Sequence, residues 1–164
     1  MGAEETADNS IEVPIKDLTS IFKEDAWRNT QSKIISESSH KGTFYFDHFY
    51  DGNKKYPWFR EWNMERYYVT LINRLRSNHY NLNVSLARKN YVESERCECG
   101  YEIEDIDHIV WRCHRFDEQR TRLGEILWRK RLDKVESIYD ILKREDWKKF
   151  RIIYDYIKKV KRVI

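Results

Sequence analysis

The chain has 164 residues, 40% of them hydrophobic and 36% charged, with six Trp, eleven Tyr and seven Phe, a balance that buries a core and excludes an intrinsically disordered polymer. Five glycines and two prolines are too few turn formers for an all-β sandwich, and no run approaches the roughly eighteen apolar residues of a membrane span. Net charge is +3, yet residues 1–25 carry seven acids against two lysines, net −5, and residues 141–164 carry nine bases against three acids, net +6.

Residues 1–13 read as a flexible acidic leader, and Met1-Gly2-Ala3-Glu4-Glu5 lacks the basic start and apolar run of a secretory signal. After Pro14 the stripe Leu18, Ile21, Phe22, Ala26, Trp27, Ile34 and Ile35 predicts a helix of about five turns, with Asp17 as its N-cap. Ser36 to Gly42 ends it. The aromatic stretch Thr43 to Tyr50 has apolar density without helical period, which predicts an extended segment laid across the core and closed by the turn Asp51-Gly52.

From Trp58 to His79 the pattern predicts a central helix, with Met64, Tyr68, Leu71, Ile72, Leu75 and His79 on one face. Ser77-Asn78 is its stop, because Asn tolerates the left-handed conformation best among non-glycine residues. Leu82 and Leu86 lead through one short helix into a cysteine-bearing turn. Asp105 or Asp107 is the cap of a further helix, whose apolar face runs through Ile106, Ile109, Val110, Cys113 and Phe116 to Leu123, Ile126 and Leu127. The last helix starts near Asp146, with Trp147, Phe150, Ile153, Tyr154, Ile157 and Val160 on one stripe and most of its Lys and Arg on the other. The expected fold is therefore mainly α: a single small helical domain over residues 14–164 with a zinc-stabilised turn at 97–113.

All three cysteines fall within seventeen residues, as Cys97-Glu98-Cys99-Gly100, seven further residues, His108, four residues and Cys113. Three thiolates and an imidazole form a soft to borderline donor set that suits the closed tetrahedral coordination of structural Zn²⁺. Cys97, Cys99, His108 and Cys113 are thus the expected metal ligands and Zn²⁺ the expected cofactor. Gly100 supplies a residue able to take positive φ where backbone amides approach a thiolate. Around the first pair lie Glu93, Glu95, Arg96, Glu98 and Glu102, a setting too polar to bury two thiols as ordinary core residues. A disulfide fits less well, because three cysteines leave one thiol over. His108 and Cys113 would sit about 140° apart on an ideal helix. Either the helix is distorted there or it begins near Cys113.

Asp47, His48 and Asp51, with His40 nearby, read as turn and packing residues and not as an acid–base pair. Neither a Gly-rich phosphate loop nor a nucleophile elbow is present, so no small-molecule substrate is expected. Tyr67, Tyr68 and Tyr80 beside Arg66, Arg74, Arg76 and Lys89 resemble the mixture of rings and cations used on single-stranded nucleic acid. Tyr68 is expected in the core; Tyr67 and Tyr80 are surface candidates. The basic end of the chain suits either phosphate or an acidic protein surface. Reduced thiols and the missing signal segment imply an intracellular protein, nuclear or cytoplasmic, with no membrane partner.

Several separated motifs line up together: Pro14-Ile15-x-Asp17, Trp27, Lys41-Gly42-Thr43-Phe44, Pro57-Trp58-Phe59, Arg74-Leu75-Arg76-Ser77-Asn78-His79, Cys97-x-Cys99-Gly100 and Asp107-His108-x4-Cys113. In that order they resemble the region that follows the reverse transcriptase and ribonuclease H domains of jockey-like insect non-LTR retrotransposons, over about Ile11 to Trp128. The chain departs from that pattern at Asn78, where the family usually has glycine. The resemblance implies a noncatalytic module that holds template RNA or target DNA, since the sequence contains nothing like the catalytic aspartates of the reverse transcriptase or the carboxylate cluster of the ribonuclease H. Arg74, Arg76 and His79 with Arg96 and Arg112 are then the expected contact face. A structural zinc domain for protein contact and an element fragment without function are the alternatives.

Overall fold

The computed structural model describes residues 14–131, 137–143 and 145–161, and its regular structure among them is entirely helical. The expected leader at 1–13 lies outside these residues. Helix α1 (Ile15–Glu37) starts before Asp17, so that residue lies inside the helix and Pro14 occupies the N-cap position. Ile15, Ile21, Phe22 and Ile35 are each more than half exposed. The chain divides into a unit of residues 1–41 and a unit of residues 42–164.

The second unit runs α2 (Thr43–Phe49), α3 (Arg66–Arg76), α4 (Asn83–Ala87), a π turn at His108–Arg112, a 3-10 turn at His114–Phe116, α5 (Asp117–Arg129), α6 (Ile138–Leu142) and α7 (Trp147–Val160). Helix α7 packs on α3, α5 and α6. Its expected stripe is realised: Phe150, Ile153, Tyr154, Ile157 and Val160 are buried, while Trp147 remains 46% exposed. Asp146 starts the helix by accepting the Lys148 N–H at 2.9 Å on its side chain, a cap worth about 1 kcal/mol. Truncating a buried stripe residue such as Ile153 to Ala removes far more, about 2–5 kcal/mol.

Two segments differ from the expectation. Thr43 to Tyr50 is helical up to Phe49, entered through Gly42 at φ 65°. The Phe44 ring lies against Tyr139 at 4.9 Å and Phe46 stacks on Tyr50 at 4.7 Å, so aromatics occupy several faces and hide the period. The central helix begins at Arg66, not Trp58. Trp58 instead donates through Nε1 to Asn73 Oδ1 at 2.8 Å, and the Trp58 and Trp62 rings meet Phe150 at 5.2 and 6.4 Å. Packing of these rings replaces helical hydrogen bonding in the segment.

The end of α3 follows the expectation closely. Asn78 takes φ 52°, its N–H reaches Leu75 O at 3.1 Å, and the His79 N–H reaches Arg74 O at 2.9 Å. These two bonds are the Schellman closure of a helix.

Candidate metal centre

The first ligand pair sits on a turn that backbone hydrogen bonds hold closed. Glu104 N donates to Glu95 O at 2.7 Å, Cys97 N to Tyr101 O at 2.9 Å and Gly100 N to Cys97 O at 2.9 Å. Gly100 takes φ 93°, a conformation an L side chain would strain. The second pair sits on the π turn. Cys113 N donates to His108 O at 2.7 Å, an i to i+5 bond whose wider turn brings residues five apart toward one face. The helix is thus distorted at the site, and Asp105 caps it by accepting the His108 N–H at 2.6 Å.

The four side chains converge. Their ligand atoms all lie within 4.8 Å of one another, with Cys97 Sγ 3.9 Å from Cys113 Sγ and Cys99 Sγ 3.2 Å from His108 Nε2. Cys97, His108 and Cys113 are buried, and Cys99 is partly exposed. Three cysteines and one histidine lie close enough to hold a metal ion. Burial pushes the Cys97 thiol up to about 12 and raises Cys113 as well. Burial acts on Cys99 in the same sense, but hydrogen bonds from the Tyr101 amide and the neighbouring thiols outweigh it and leave its pKa lowered. Burial lowers His108, which keeps its imidazole neutral and its ring lone pair available. Proton loss from the thiols must then accompany cation binding.

Residues around the site hold its parts in place. The Glu104 carboxylate is buried, accepts Asn83 N at 2.9 Å and lies 3.7 Å from Cys97 Sγ. His108 Nδ1 is buried without a hydrogen-bond partner among the described residues, although metal-bound histidines usually donate their second ring N–H. Stacking orients the ring instead, with Tyr101 4.5 Å away and 7° from parallel. Arg120 donates Nε to Val110 O at 3.0 Å and a terminal nitrogen to Cys113 O, tying α5 to the end of the π turn. Of these residues the sequence signalled only Asp105; Glu104, Arg120 and Tyr101 carry no spacing that marks them.

The five residues expected at a contact face do not all lie at the surface. Arg76 is 2% exposed, donates to Glu145 Oε1 at 3.0 Å and lies over the Phe49 ring at 4.7 Å. It belongs to the core and not to a contact face, because position 76 continues the inward row Tyr68, Ile72 at four-residue spacing. Arg74, His79, Arg96 and Arg112 are exposed. His79 Nε2 meets Lys89 Nζ at 3.1 Å, and Arg112 reaches Asp105 at 3.9 Å while lying over the Tyr101 ring at 5.7 Å. Tyr67 is 53% exposed, whereas Tyr80 is buried beside the Tyr139 hydroxyl. His48 stacks on Phe44, and Asp51 accepts the Asn53 N–H of its own turn.

Among the described residues no helix is long and apolar enough to cross a membrane. Comparison with protein-family models, with curated proteins and with solved structures finds no match.

Proposed function

We propose that the chain is a noncatalytic RNA- or DNA-binding module, derived from the tail of a non-LTR retrotransposon polyprotein and organised by one structural Zn²⁺. The separations of 3.9 Å between sulfurs and 3.2 Å between sulfur and nitrogen lie on either side of the edges of a zinc tetrahedron, about 3.8 and about 3.6 Å for bonds of roughly 2.3 and 2.05 Å. With Cys97, Cys99, His108 and Cys113 all bound, the ion has no open position for water or substrate, and its contribution is to fix two turns together.

The observation that carries the binding reading is the outer face of α7. Lys148, Arg151, Lys158, Lys159 and Lys161 are exposed there, and Asp155 is the one acid between 147 and 161. A one-sided row of cations on a packed helix is the electrostatic footprint of a phosphate backbone. At the zinc turn the arginines serve local acids instead, Arg115 pairing with Glu98 and Arg112 with Asp105. The turn then positions, and α7 contacts. The same acids support a second reading, a structural zinc domain for protein contact, because Glu93, Glu95, Glu98 and Glu102 are exposed around the turn.

Fluorescence anisotropy of a labelled single-stranded homopolymer with zinc-loaded protein separates the two. The nucleic-acid reading expects binding that falls steeply with salt and is weakened by Lys158→Glu with Lys159→Glu. Undetectable binding at low salt removes it.

A further inference from the structure

A cavity of about 350 Å³ opens where the start of α3 meets the start of α7, far from any role in the metal centre, and Trp62, Met64, Glu65, Tyr68, Trp147 and Arg151 line it. We infer that this cavity takes one unpaired nucleobase of a bound single strand, with the adjoining phosphate on Arg151. The inference rests on the nucleic-acid reading above and says where on the molecule the strand sits.

The walls are aromatic and rigidly held. Tyr68 is 3% exposed and donates its hydroxyl to Trp147 O at 3.1 Å, which fixes the floor against the first residue of α7. Trp62 is held edge-on by Trp58 at 5.4 Å and by Phe150 at 6.4 Å. Trp147 belongs to the α7 stripe yet remains 46% exposed, an apolar ring on the wall of the cavity. A flat π face with a polar edge fits such walls, and stacking on them is tolerant of sequence.

Two cations stand beside the rings. Arg151 spends Nε on Asp155 Oδ1 at 3.1 Å and lies over the Tyr154 ring at 5.4 Å. Lys148 Nζ stands 5.9 Å from the Trp147 ring centre. These cations attract a phosphate, while Glu65 is the one acid of the lining; a methylated ammonium, the other ligand that aromatic cages receive, is the competing occupant. Arg151 also lines a second depression, between α5 and α7, together with Arg122 and Lys159. A backbone leaving the cavity past Arg151 therefore meets Arg122 and Lys159, with Asp155 as the one acid of that depression. Glu65 makes no capping bond at the start of α3, and its carboxylate on the cavity wall accepts only. It can receive an exocyclic amino group or a ring N–H from the edge of a base.

The test uses the zinc-loaded full chain and labelled oligocytidine and oligouridine, with folding of each variant checked by its thermal transition. Trp147→Ala is expected to weaken oligocytidine binding by about 5- to 150-fold, the loss of one stacking platform, and Trp147→Phe to restore most of it. Arg151→Gln is expected to reduce the salt slope by about 0.7, one phosphate contact on a single strand. Unchanged binding by Trp147→Ala, with wild type binding well, overturns the cavity while leaving the nucleic-acid reading intact. Failure of wild type to bind either oligomer overturns both. Binding of a trimethyllysine peptide that Trp147→Ala abolishes, with no nucleic-acid effect of that variant, also overturns it.

Discussion

The hydroxyl of Tyr156 donates to the carbonyl oxygen of Ile109 across 2.8 Å, inside the core. Ile109 is part of the π turn that carries two of the four ligands, and Tyr156 is on α7, whose outer face bears the cations. One hydrogen bond thus registers the proposed contact helix against the metal-bearing turn. Burial pushes the Tyr156 hydroxyl up to about 12, so it remains a neutral donor through the physiological range.

Tyr156→Phe removes that donor and leaves the Ile109 carbonyl buried without it. The expected cost is about 1–3 kcal/mol of stability, read as a lower urea midpoint at unchanged m-value. A midpoint equal to wild type would show that α7 is registered by apolar packing alone.

Arg76 anchors α3 to the loop before α7. Its pair with Glu145 is shared with Lys54, which reaches the other carboxylate oxygen at 2.5 Å. Two further Arg76 nitrogens, Nε and one terminal nitrogen, are buried without partners among the described residues. Arg76→Ala loses the pair and opens space over Phe49, with an expected cost of about 3 kcal/mol or more, whereas Arg76→Met fills that space and costs less because the unpartnered nitrogens go with the charge. Chemical denaturation of both variants checks the order. Nucleic-acid affinity of the folded Arg76→Met protein is expected to match wild type, since this arginine faces inward.

His79 is expected to titrate below the ordinary histidine value. The Lys89 ammonium beside it is the largest cause, followed by partial burial and by Arg74 and Arg88. Because the folded pKa lies below the unfolded one, the unfolded chain binds the proton first as pH falls. The fold therefore loses a little stability below about 6.5 and none above it. Proton NMR of the ring checks the midpoint, and Lys89→Gln is expected to move it upward. A midpoint at or above the ordinary value would contradict the contact between the two side chains.

The cluster of Cys97, Cys99, His108 and Cys113 was legible because thiols and an imidazole at short spacing serve few other purposes. The last helix was legible because its period is unbroken, and the stop at Asn78 because so few residues accept its φ. Thr43 to Phe49 was not, since aromatic residues on several faces erase the period that separates helix from strand. Trp58 to Glu65 kept a helical spacing but lost the helix to ring packing on Phe150. Arg76 shows a limit of another kind. Its position on the inward row was visible, but its charge argued for the surface, and only Glu145, sixty-nine residues away, makes burial of a guanidinium affordable. The aromatic cavity beside α7 depends on such distant pairings, Tyr68 with Trp147 and Trp62 with Phe150.

Native mass spectrometry of the full chain, with and without a short single-stranded RNA at low salt, tests the central claim most directly. The expected result is one zinc ion per chain, lost in Cys113→Ser, and an RNA complex of the zinc-loaded form that disappears as salt rises. Zinc-loaded protein that forms no RNA or DNA complex at low salt would contradict it, as would a chain that retains no zinc when its thiols are reduced.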